Sequence, residues 1–119
     1  MYRYFQNNPC HKYTGDCVIR ACSKALNKSW ADTYMDLCLK GLSMCKLPND
    51  NDVWGAYLKD NHFTKNYYDG TVEVFAETHP FDTYVVGTGS HAICIIDSQY
   101  FDTWDSGDET IIYYFKRGE

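Results

Sequence analysis

The chain has six cysteines, at positions 10, 17, 22, 38, 45 and 94, but no Cys-x-x-Cys pair. Zinc knuckles and dithiol redox motifs need such pairs, so neither is expected. It also lacks a dense run of Lys or Arg, and its net charge is -5. Gripping a phosphate backbone takes a basic face, so nucleic acid is not an expected partner. An anionic membrane surface would suit this acidic chain no better. No apolar stretch approaches the length of a transmembrane helix. There is no internal repeat and no low-complexity tract. Met1 to Asn8 is polar and aromatic, which does not read as a secretory signal. A cytoplasmic location is therefore expected, with the cysteines reduced rather than paired.

What is present reads as one globular domain over residues 1–119, with 45% hydrophobic and 17% aromatic residues. Met1 to Gly15 reads as loop with at most a short strand. The stripe Val18, Ala21, Cys22, Ala25 and Leu26 predicts a helix over Asp16 to Leu26. Ser29, with Asp32 three residues on, caps a second helix from Trp30 to about Leu39, which Gly41 ends or kinks. Pro48-Asn49-Asp50 leads into a third helix, about Asp52 to Lys59. Thr71 caps a fourth, Val72 to Thr78, which stops before Pro80. The runs Thr83–Thr88, Ala92–Ile96, Tyr100–Trp104 and Thr110–Lys116 are β-branched and aromatic, as strands are. Helices first and strands second is an α+β pattern, with N-terminal helices packed on a C-terminal antiparallel sheet.

Thr14-Gly15-Asp16-Cys17 puts Cys17 in the first turn of the first helix. Unpaired N–H groups and the positive end of the helix dipole favour a thiolate there. Arg20, one turn on, adds positive potential, while Asp16 is expected to cap the helix. Cys22 and Cys94 fall on core positions, and Cys38 packs within the second helix. Cys10 and Cys45 have no assigned role.

A nucleophilic thiol needs a base, and the base needs a group to orient it. His62 and His79 read as surface residues, and His11 stays in contention for a minor role. His91 follows Gly87-Thr88-Gly89-Ser90 and opens the most hydrophobic strand. Asp97-Ser98 reads as a two-residue hairpin turn. That register pairs Ile96 with Gln99, Ile93 with Asp102 and His91 with Trp104. His91, Asp102 and Trp104 then share a face. A three-residue turn would bring Asp105 opposite His91 instead. The shorter turn is preferred, and with it Asp102. Ser106, Gly107 and Asp108 read as a further turn.

Gly-Asp-Cys at a helix start, Gly-Ser-His opening a buried strand and an Asp on the next strand resemble the papain-like cysteine peptidases. Within that family the chain resembles in particular the small bacterial peptidases that remove double-glycine leaders, in which Cys comes first, then His, then Asp or Asn. Short uncharacterised proteins of phages and gut bacteria share still more: Asn8-Pro9, Gly15-Asp16-Cys17, Arg20-Ala21, His91 and Asp102-Thr103-Trp104-Asp105-Ser106. The resemblance implies a papain-like fold and Cys17, His91 and Asp102 as catalytic triad, with Trp104 shielding the His91–Asp102 bond. Relatives place an oxyanion-hole glutamine shortly before the cysteine. His11 stands there in this chain, so Asn8 or His11 is the expected substitute, beside the Cys17 N–H.

The expected chemistry is acyl transfer on a peptide or protein amide, a host protein among the candidate substrates, with no metal or organic cofactor. The same residues would serve a deamidase or an acyltransferase. A papain-like domain reused as a non-catalytic inhibitor or adaptor is the non-enzymatic alternative.

Overall fold

The computed structural model describes residues 1–118. The single-domain reading extends to residue 119, which lies outside the described residues. The elements in chain order are β1 (Tyr2–Tyr4), α1 (Cys17–Leu26), α2 (Trp30–Met44), α3 (Asn51–Asp60), β2 (Phe63–Thr71), α4 (Val72–Thr78), β3 (Thr83–Gly87), β4 (Ala92–Ile96), β5 (Gln99–Asp102) and β6 (Thr110–Arg117). This is an α+β domain with four helices and a six-stranded sheet in the order β1-β5-β4-β3-β6-β2. No helix among the described residues is long and apolar enough to cross a membrane.

The sheet differs from the expected one in two ways. It is mixed, because β1 pairs parallel to β5, Tyr2↔Tyr100 through Tyr4↔Asp102. It also gains β2, an edge strand antiparallel to β6. Only Phe63 of β2 is buried, so the strand has no apolar face to announce it, and its Lys65 suits an unpaired edge.

The central strands are apolar on both sides because helices cover both faces of the sheet. Val85, Cys94 and Phe115 face a core shared with α1, α2 and α3, built on Ala21, Cys22, Leu37, Trp54 and Leu58. Their neighbours Val86, Ile93 and Ile95 face a second core with Val72, Phe75 and Ala76 of α4. Side chains alternate along a strand, so both sets must be apolar. α4 therefore does not join the other helices on one side, as a single helical layer would require.

α2 runs beyond Leu39 and through Gly41 to Met44, so Gly41 does not end it. The helix stops at Cys45, whose φ of 57° is left-handed. The Lys46 N–H then turns back to the Gly41 carbonyl at 2.9 Å. A Cβ on Gly41 would lie 2.7 Å from the Lys46 carbonyl oxygen, so glycine allows the chain to fold back over the helix end. Ser29, Asp50 and Thr71 accept from backbone N–H groups as N-caps of α2, α3 and α4.

The β4–β5 hairpin has the two-residue turn read from the sequence. Asp97 and Ser98 have φ of 51° and 65°, the left-handed pair that matches strand twist. The ladder runs Ile96↔Gln99, Ile95↔Tyr100, Cys94↔Phe101 and stops there. The expected pairs Ile93↔Asp102 and His91↔Trp104 lie past its end, and β5 finishes at Asp102 rather than Trp104.

Candidate active site

The end of the β4–β5 ladder faces the N-terminus of α1. Cys17 is the first residue of that helix, with its N–H free of any intrahelical partner. The Cys17 thiol stands beside the His91 ring and the Ala92 backbone at one end of a shared cleft, close enough for both to act on its ionisation. His91 Nε2 bonds Asp102 Oδ2 at 2.6 Å, which leaves Nδ1 as the ring nitrogen available to the thiol. A turn sets the imidazole in place. The Thr88 N–H donates to the His91 carbonyl at 3.0 Å, and Gly89 takes a φ of +98° that other residues rarely adopt.

Asp102 is only 1% exposed, yet its carboxylate is fully engaged. Besides His91, Oδ2 accepts from Ser106 Oγ at 2.7 Å. Oδ1 accepts from the Thr103 N–H at 2.8 Å and from Arg20 at 3.1 Å. Its carbonyl is pinned by β1 and the residue after it, through Tyr2 Oη at 3.2 Å and the Phe5 N–H at 2.8 Å. The Trp104 ring lies 5.5 Å from the His91 ring, inclined by 30°, and covers its outer side.

Burial opposes ionisation of the Cys17 thiol. The bonds from His91 and Ala92, and the charges of His91 and Arg20, more than offset it and hold the thiol below its ordinary value. Burial likewise disfavours the charged imidazole, but hydrogen bonds to Asp102 and Cys17 outweigh it and raise His91 to about 9. Burial would raise Asp102 as well. The His91 and Ser106 hydrogen bonds reverse that and keep it below the usual carboxylate range. Together these favour a thiolate–imidazolium pair backed by a carboxylate. Cys22 and Cys94 are different: burial holds both thiols far above the ordinary value.

Several residues stand elsewhere than the sequence suggested. Asp16 occupies the N-cap position, but its side chain caps nothing. It pairs instead with Arg20 and accepts from Trp30 Nε1 at 2.9 Å. Asp105 does not approach His91. It accepts from Tyr100 Oη at 2.6 Å and from the Gly107 N–H at 3.1 Å. Neither Asn8 nor His11 lines the cleft at Cys17. Asn8 is buried in its own turn, with Oδ1 accepting from the Cys10 N–H at 2.8 Å, and His11 is exposed. The donors left beside the sulfur are the first N–H groups of α1. His79 is half-buried and stacked on Phe75 at 3.8 Å, rather than a surface residue.

Ser106, read from the sequence as part of a turn, is fully buried against Asp102. Nothing local marks a serine in Asp-Ser-Gly-Asp as more than a turn residue. Ser106→Ala is expected to cost about 1.5–3 kcal/mol, the range for a hydrogen bond to a charged group. Urea unfolding measures it, and an unshifted midpoint would show that Asp102 does not need this donor.

Cys17 and His91 open onto a cleft of about 760 Å³. Its far wall comes from the segment before α3 and that helix's first turns, notably Leu47, Asp50, Asn51 and Trp54. Asn51 accepts from Trp54 Nε1 at 2.9 Å and donates to the Gly89 carbonyl at 3.3 Å, tying this wall to the turn that presents His91. Sequence reasoning missed the wall because an N-cap segment has no chemical signature of its own. Among the described residues no group of three or more His, Cys, Asp and Glu side chains is placed to hold a metal. No family model matches the chain, and no curated protein or solved structure is significantly similar to it.

Proposed function

We propose that the protein is a cysteine hydrolase of the papain-like kind, acting by acyl transfer on a peptide or protein amide. One observation carries the reading: a thiol at a helix N-terminus stands beside an imidazole held through Nε2 by a buried carboxylate, and both open onto one cleft. The chain order Cys, His, Asp and the cover of Trp104 over the imidazole also favour it.

The Cys17 thiolate attacks the amide carbonyl carbon, forming a C–S bond. The oxyanion that develops is met by the unpaired N–H groups at the start of α1, where the helix dipole also stabilises negative charge. His91 gives its proton to the departing nitrogen as the C–N bond breaks. The neutral imidazole then takes a proton from water, which attacks the thioester. The acid leaves, and the thiolate–imidazolium pair is restored. Asp102 fixes the ring and supports its charge throughout.

A thiol-directed covalent probe at pH 6 tests the reading, with peptide mapping of the labelled cysteine. Cys17 is expected to react well ahead of the exposed Cys10 and Cys45, and Cys17→Ala to lose the fast label. Equal, slow labelling of Cys10, Cys17 and Cys45 would favour a non-catalytic binding domain instead.

A further inference from the structure

We propose that Arg20 is a positioning residue for this site: it fixes the carboxylate that orients His91 and keeps Asp16 away from the helix N-terminus beside Cys17. The inference rests on the cysteine-hydrolase reading and extends it to a residue that touches neither substrate nor sulfur. Arg20 sits one turn after Cys17 on α1 and is buried. One guanidinium nitrogen bonds Asp16 Oδ1, and the other reaches Asp102 Oδ1 at 3.1 Å. The nucleophile's own helix thus grips the residue that sets the base.

The chemistry of arginine suits the task. Its planar fork serves two carboxylates at once, which a single ammonium on a flexible stem does less well. Fold stability alone is a weak reason to bury such a triad, since apolar replacements of buried ion clusters are often neutral or stabilising. The position of Asp16 supplies the second half of the inference. An aspartate at an N-cap ordinarily accepts from the N–H groups of the first turn. Here Arg20 and Trp30 occupy both its oxygens. Released, that carboxylate would consume the N–H groups that meet the oxyanion and would bring negative charge toward the sulfur. Losing the Arg20 charge, freeing Asp16 and loosening Asp102 all disfavour the thiolate.

The test is the pH dependence of iodoacetamide alkylation at Cys17, mapped by peptide mass. The groups bearing on the thiol are His91 and Arg20, with Asp102 behind the imidazole and Asp16 behind the guanidinium. Two variants are compared with the wild type: Arg20→Lys, which keeps the charge, and the pair Asp16→Asn with Arg20→Gln, which removes both charges and keeps an amide acceptor for Trp30. Continued protection of the buried Cys22 and Cys94 reports that each variant is folded. In both, the acid limb is expected to move up by about one unit or more, a loss of about tenfold at pH 6. A folded variant with the wild-type limb and rate would overturn the role of Arg20. A wild type without fast Cys17 labelling, and insensitive to His91→Ala, would instead overturn the hydrolase reading beneath it.

Discussion

His91→Ala is expected to lower turnover of an amide substrate by about 10²–10⁴-fold, the usual contribution of a positioned general acid–base group. The loss has two sources in this site. The thiol loses the hydrogen bond and charge that depress it, so less thiolate is present near neutrality. The leaving nitrogen also loses its proton donor. The pH profile separates the two. On the proposed mechanism the wild-type pair needs Cys17 deprotonated and His91 protonated. Activity is therefore expected to rise with pH as Cys17 ionises, below the ordinary thiol range, and to fall again as His91 loses its proton at about pH 9. In His91→Ala the alkaline fall disappears, and alkylation of Cys17 climbs toward the pH of an ordinary thiol. A variant that keeps both limbs would remove His91 from the mechanism.

Arg20→Met is expected to be the costliest single change to stability near the site. It leaves the buried Asp16 and Asp102 carboxylates without their shared counter-charge. Removing one partner of a buried ion cluster costs about 3–5 kcal/mol. For a domain of this size that is a fall in Tm of about 10–25 °C. The sign of its pH dependence follows from linkage. In the wild type Asp102 is held below its ordinary value, so its contribution is present at neutral pH and lost as pH falls through the folded value. Without the positive charge of Arg20 beside it, the Asp102 carboxylate takes up a proton more readily in the folded state. The gap between variant and wild type should therefore narrow as the solution is acidified, read by thermal melts at neutral and acid pH. A gap that stays constant would show that Arg20 contributes by packing rather than by charge.

Much of the candidate site was legible because its signals are local. The apolar stripe from Val18 to Leu26 locates α1 and puts Cys17 at its first turn. Asp97-Ser98 requires two left-handed residues, and that fixes the hairpin register which favours Asp102 over Asp105. Gly89 marks the turn that presents His91. The oxyanion side was read less well. The resemblance points to Asn8 and His11 by their place shortly before Cys17, but Asn8 spends its amide within its own turn and His11 faces solvent.

The sequence by itself determined where the four helices lie, the β4–β5 turn and the three residues to which acyl transfer is assigned in the proposal. Each depends on backbone preference and side-chain period over about ten neighbouring residues. Only the tertiary structure decided that β1 would pin Asp102 from the chain's beginning, that β2 would close the far edge, and that Arg20 and Ser106 would converge on one carboxylate. Those partners lie far apart in sequence or in an ordinary turn. What brings them together is the burial of both sheet faces and the need to satisfy every polar group trapped beneath them.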